Sequence, residues 1–223
     1  MKILNKNNIM IALVAGIFVI FLRAIPLFVT ISKLVEQILP LTAYLIIPIL
    51  WVKTKGFAKD SIGLVSAIPR LKEAIIAVTI GIVLAIMPLI VHQMGDKLPI
   101  IVTPRVLIIL VVAVLVQAPL AELFWRGFIQ KRLEDTLQAK WLSIIIVSIL
   151  ATLAWIPACL HFGGETMAIP ANVLQHALFG LLYFKTRKLS VSILAHSTFN
   201  IGVILAHSYD ILNVSAFFFG PPL

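Results

Sequence analysis

Long apolar runs follow one another through the whole chain, and no other feature limits its possible folds so sharply. They cover residues 9–22 (continuing past Arg23 to residue 31), 38–52, 74–91, 106–127, 141–160, 168–184 and 191–207. A backbone in hydrocarbon must satisfy its own N–H and C=O groups, and helices of about this length do so. The runs are continuous instead of alternating, which argues against a β-barrel. Of the 223 residues 61% are hydrophobic and only 12% are charged, about half the charge of a soluble domain. The expected fold is therefore an all-α polytopic membrane protein, with about seven transmembrane helices in one bundle and a single integral-membrane domain over residues 1–223. An eighth crossing stays open around Arg23 to Val52. The second run is short and holds Pro40 and Pro48, so a kinked or irregular segment is expected there.

Lys and Arg outnumber Asp and Glu by 18 to 9. In a soluble protein such an excess would suggest nucleic acid. Here the cations gather in alternate connections, at Lys2/Lys6, residues 53–72, residues 131–140 and Lys185/Arg187/Lys188. No basic-aromatic motif accompanies them, so no nucleic-acid partner is expected. The positive-inside rule puts the amino terminus in the cytoplasm and the carboxyl terminus outside. Residues 1–8 lead straight into an apolar run without a small-residue cleavage site, so no cleavable signal is expected. Cys159 is the only cysteine, which rules out an internal disulfide or a multi-cysteine metal site. Nothing in the sequence fixes an oligomeric state.

Against this background the few polar residues inside apolar runs stand out. Glu122 and Arg126 end the fourth run at i, i+4 spacing, which places them on one helix face where they can pair. An ionisable group in hydrocarbon is costly, and by default it is a functional candidate facing the protein interior. His161 and the i, i+4 pair His196 and Asn200 lie in similar surroundings. The bland alternatives are a structural ion pair, an interfacial histidine and hydrogen bonds between helices. His176, beside Gln175, is assigned to that last group, and His92 and His207 to span ends.

Three spacings converge on one family. Ala121-Glu122-Leu123-Phe124-Trp125-Arg126-Gly127, His161 with Pro157 four residues before it, and residues 179–186 through 195–200 resemble the successive motifs of the CPBP intramembrane proteases, the CAAX-protease and bacteriocin-processing (Abi) group. Those motifs are Glu-Glu-x-x-x-Arg, Phe-x-x-x-His and His-x-x-x-Asn, and the likeness covers about residues 106–203. The resemblance implies hydrolysis of a peptide bond in or at the edge of the membrane, on a peptide or protein substrate. By carry-over, His161 helps to activate a water, while His196 and Asn200 stabilise the oxyanion. An older reading of the family implies zinc, for which Glu122, His161 and His196 would be the ligands; the metal-free reading uses a Glu/His-activated water.

One position departs from the family. Ala121 stands where the first Glu, the general base, should be. Glu122 is a poor substitute, because adjacent helical residues point about 100° apart and a carboxylate held by a guanidinium is a weaker base. Three explanations stay open: an introduced replacement, a natural member that no longer cleaves, or a member that uses Glu122 alone. The expectation is an endopeptidase impaired as written, acting on a bacteriocin, a leader peptide or a CAAX-like tail. The alternatives are a non-catalytic protein of the same fold that binds a peptide or partner for immunity or regulation, and, remotely, a small transporter. Depth raises a further question. At 1.5 Å per residue His161 is about 30 Å from Trp141, near the opposite face from the basic connection, unless tilt and Pro157 bring it back.

Overall fold

The computed structural model describes residues 6–31, 33–55, 68–95, 102–161 and 168–206. Among them there is no strand, and seven helices follow in order. We number these α1 (Lys6–Ala24), α2 (Lys33–Lys55), α3 (Leu71–Gly95), α4 (residues 104–136, in five joined stretches), α5 (Leu142–His161), α6 (Ala168–Thr186) and α7 (Leu189–Ala206). Three segments, Asn7–Leu27, Val106–Thr136 and Leu189–Ala206, are long and apolar enough to cross a membrane, and Ile38–Lys53 and Leu142–Pro157 are shorter apolar helices. Large apolar side chains of the helices face outward, among them Phe21, Ile82, Val83, Ile108 and Leu115, while Glu122, Arg126 and Gln130 are fully buried. Lipid as the solvent explains that inversion of a water-soluble surface.

Two expectations change. The second run is one continuous helix of 23 residues, α2, with Pro40 and Pro48 both inside it. In a bundle, neighbouring helices can re-satisfy the backbone groups that proline frees. The interval from Arg23 to Val52 holds only the end of α1, a 3₁₀ turn at Ile25–Leu27 built on Pro26, and α2. Its described residues leave no place for an eighth crossing.

The fold is organised around α4. Thr103 caps its start, its hydroxyl accepting from Val106 N at 3.3 Å, and Pro104 takes the first turn, where no N–H is needed. Further on, α4 is α-helical only in pieces, because it widens into π-helical turns at Ala113–Gln117 and Leu123–Gln130. All ten residues from 121 to 130 are buried. One side of this stretch belongs to a large apolar cluster with α1, α2 and α5, in which Tyr44 packs 5.0 Å from Phe124 and 6.0 Å from Trp125 between ring centroids. The other side meets α6 and α7.

Helices α3 and α7 run parallel in close contact. Their approach is set by small residues: a Cβ added at Gly81 would stand 2.6 Å from the Ala195 carbonyl oxygen, and one at Gly202 would stand 2.3 Å from Ala85 Cβ. Ala77, Gly81 and Ala85 form a small-residue stripe at i, i+4 spacing, the device by which helices pack in lipid. Lys188 Nζ donates to Glu73 Oε2 at 2.7 Å where both helices begin.

Candidate active site

Four buried side chains from three helices form a chain of polar contacts. Glu122 Oε1 lies 2.8 Å from His196 Nδ1 on α7. Its other oxygen, Oε2, is 3.2 Å from Arg126 Nε. Arg126 then reaches α6, where Nη2 is 3.1 Å from His176 Nδ1 and donates to the His176 carbonyl oxygen at 2.8 Å. Phe179, one turn after His176, stacks on the His196 ring with centroids 5.1 Å apart and lies 5.9 Å from the Arg126 guanidinium carbon. The polar row continues towards the basic end of α4. Gln130 Nε2 donates to Glu134 Oε1 at 2.8 Å and to the Gly180 carbonyl at 3.0 Å, and Arg187 pairs with Glu134.

The position of Asn200 follows from the first wide turn of α4. Pro119 has no N–H, and its ring would clash with the carbonyl four residues back in a regular helix. The helix widens instead, so Ala118 N donates five residues back, to the Ala113 oxygen. The Val114 carbonyl thereby loses Ala118 as a donor, and the next residue, Pro119, has none to give. Helix α7 supplies the replacement: Ser197 Oγ donates to Val114 O at 3.3 Å, and Asn200 Nδ2 donates to Ala113 O at 3.3 Å. Asn200 is thus one turn from His196 on the same face, with one amide hydrogen committed to the α4 backbone.

The structure therefore brings Glu122, Arg126 and His196 into contact and sets Asn200 beside them. Ala121 is buried and belongs to the apolar cluster with Tyr44, Phe124 and Trp125. His161 is the last residue of α5, and its side chain lies outside the described residues, so its distance from Glu122 or His196 is not defined. His176 was expected to bond between helices. It does, but its partner is Arg126, which makes it part of the site. A Gln-His pair inside an apolar run was the only signal for it, since no motif spacing links residue 176 to residue 126.

The zinc reading can be set against these contacts. Among the described residues no three His, Cys, Asp or Glu side chains stand close enough together to hold a metal ion. Glu122 and His196 are turned on each other, and Arg126 puts a positive charge 3.2 Å from the carboxylate. The third donor of the zinc reading, His161, has its side chain outside the described residues.

An all-α membrane protein with a buried Glu/Arg/His group, set between helices that expose apolar side chains to lipid, matches the class that the motifs indicated. Residues 103–202 match the family model described as Rce1-like, Type II CAAX prenyl endopeptidase Rce1-like, the CAAX-protease family that the motifs resemble. The matched stretch begins at the cap of α4 and ends in α7, within three residues of the core expected from the motifs at each end. No curated protein and no solved structure matches the chain.

Proposed function

We propose that the protein is an intramembrane endopeptidase of the CAAX-protease type in a bacterial cytoplasmic membrane, with its amino terminus inside and its carboxyl terminus outside. Its substrate is a membrane-associated or exported peptide, either a bacteriocin or leader peptide or a CAAX-like tail. The single observation that carries this reading is the buried contact of Glu122 with Arg126 and His196 inside the segment that matches the family. Uncompensated, such groups would be expensive in hydrocarbon, and the family model covers the helices that hold them. In the reaction a water attacks the peptide carbonyl carbon, the oxyanion collapses, and the C–N bond breaks as a proton passes to the leaving nitrogen. Ala121 withholds the family's carboxylate from that water, so turnover as written is low.

The test compares peptide cleavage in detergent by the chain as written and by Ala121→Glu, each with and without a chelator. A positioned general base contributes about 10²- to 10⁴-fold, so the substituted form should cleave at least about 10²-fold faster. Insensitivity to chelator would favour the metal-free water over zinc. Equal rates would show that the carboxylate at 121 is dispensable. A second reading draws on the apolar surroundings of Ala121: a protein of this fold that binds a peptide or partner for immunity without cutting it. Protection of cells from a cognate toxin by both forms, with no cleavage by either, would favour it.

A further inference from the structure

The contacts of one ion pair fix the hydrogens on two histidines. An ionised carboxylate only accepts hydrogen bonds, and a guanidinium only donates them. Arg126, 3.2 Å from Glu122 Oε2, keeps that carboxylate ionised, so the hydrogen in the 2.8 Å contact between Glu122 Oε1 and His196 Nδ1 comes from the imidazole. His196 in its neutral form therefore carries its hydrogen on Nδ1 and has its lone pair on Nε2. Arg126 Nη2, 3.1 Å from His176 Nδ1, imposes the reverse. There Nδ1 must accept, and the hydrogen sits on Nε2. The same pair sets neighbouring histidines to opposite tautomers, and Phe179, stacked at 5.1 Å, holds the plane of the His196 ring.

We infer that His196, oriented by Glu122, is the base that activates water in the chain as written, in place of the carboxylate absent at position 121. The inference rests on the peptidase reading above. It gives His196 a role opposite to that of an oxyanion donor, because a neutral ring with its hydrogen on Nδ1 has no N–H to offer at Nε2. In the step, Nε2 takes a proton from water as the water oxygen bonds to the peptide carbonyl carbon and the carbonyl π pair moves onto its oxygen. On collapse the C=O bond re-forms, the C–N bond breaks, and Nε2 returns its proton to the leaving nitrogen. One water is consumed and no other reactant is needed. A histidine aligned by a buried carboxylate follows the logic of the Ser-His-Asp base without the serine. Glu122 acts as a positioning residue, and Arg126 keeps it ionised.

Imidazole nitrogen NMR on the full chain in detergent, labelled in histidine and assigned with His196→Gln, reads the tautomer without any activity. The expected result is a protonated Nδ1 and a bare Nε2 on His196, and the reverse on His176. In Glu122→Gln the amide oxygen should turn to Arg126, which can only donate, and present its NH₂ to His196 Nδ1, so the His196 tautomer should invert. In the cleavage assay the slow turnover of the chain as written should fall about 10²-fold or more in His196→Ala, and Glu122→Gln should lower kcat with KM little changed. Nε2–H on His196 in the unsubstituted chain would overturn the inference, whatever Glu122→Gln does to folding, and leave the peptidase reading standing if Ala121→Glu still cleaves. Residual turnover unaffected by His196→Ala would overturn it in the same way. No cleavage by the chain as written or by Ala121→Glu would overturn both.

Discussion

Glu122 and Arg126 lie fully buried, and each supplies what the other needs. Removing one partner of a buried pair leaves the other charge uncompensated, which costs about 3 to 5 kcal/mol. Arg126→Ala should therefore lower thermal stability in detergent by that order, while Glu122→Leu with Arg126→Met should recover most of the loss, because apolar replacements of similar volume are often neutral or better. A loss under about 1 kcal/mol for Arg126→Ala would mean that the pair is solvated. The pairing itself was legible in the sequence, since i, i+4 spacing is a local property of a helix. The contact with His176 was not. It spans fifty residues and arises from where α6 lies on α4, which no local pattern encodes.

At the scale of elements, the two wide turns of α4 decide what meets what. The first depends on Pro119, and Ser197 answers the carbonyl that it leaves open. Ser197→Ala should cost about 1 kcal/mol, the low end of the penalty for an unpaired acceptor because Val114 is only partly buried, and adding Pro119→Ala should return part of it by restoring an N–H. Strict additivity in that double-mutant cycle, followed by thermal unfolding, would deny the link between the turn and α7. The α3–α7 contact is set by Gly81, so Gly81→Val, pressing a side chain onto the Ala195 carbonyl, should prevent the folded form from accumulating; normal yield would contradict the close approach. Where these helices begin, the hydrogen bond from Lys188 and that from Arg70 N hold the Glu73 carboxyl below its ordinary 4.5. A lowered carboxylate stabilises the fold above its unfolded value and loses that contribution as pH falls through the folded one. Stability should thus decline as pH falls below about 4.5, and Glu73→Gln should remove that part of the decline, as followed by thermal unfolding across pH. The sequence showed the kink-prone prolines of α2 but not the wide turn of α4 at Pro119, because only the neighbouring helices determine which freed carbonyl is re-satisfied.

For the whole molecule, the all-helical class and the seven helices among the described residues came directly from hydropathy, because lipid imposes the same demand on every span. The parallel course of α3 and α7 agrees with both starting on the basic side, as the alternation of charged connections requires. Reporter fusions should therefore place residues 185–188 in the cytoplasm and the carboxyl terminus outside; the reverse would refute the orientation. The central claim is that the buried polar group hydrolyses peptides and does more than lock helices. It is tested most directly by measuring cleavage and melting temperature together, on Ala121→Glu alone and with His196→Gln. The prediction is that His196→Gln lowers cleavage by at least about 10²-fold, as expected for loss of a residue that acts on the reacting atoms, while the melting temperature stays within a few degrees. A melting temperature that falls sharply, with no peptide cleaved by Ala121→Glu itself, would contradict it and make the group a structural lock.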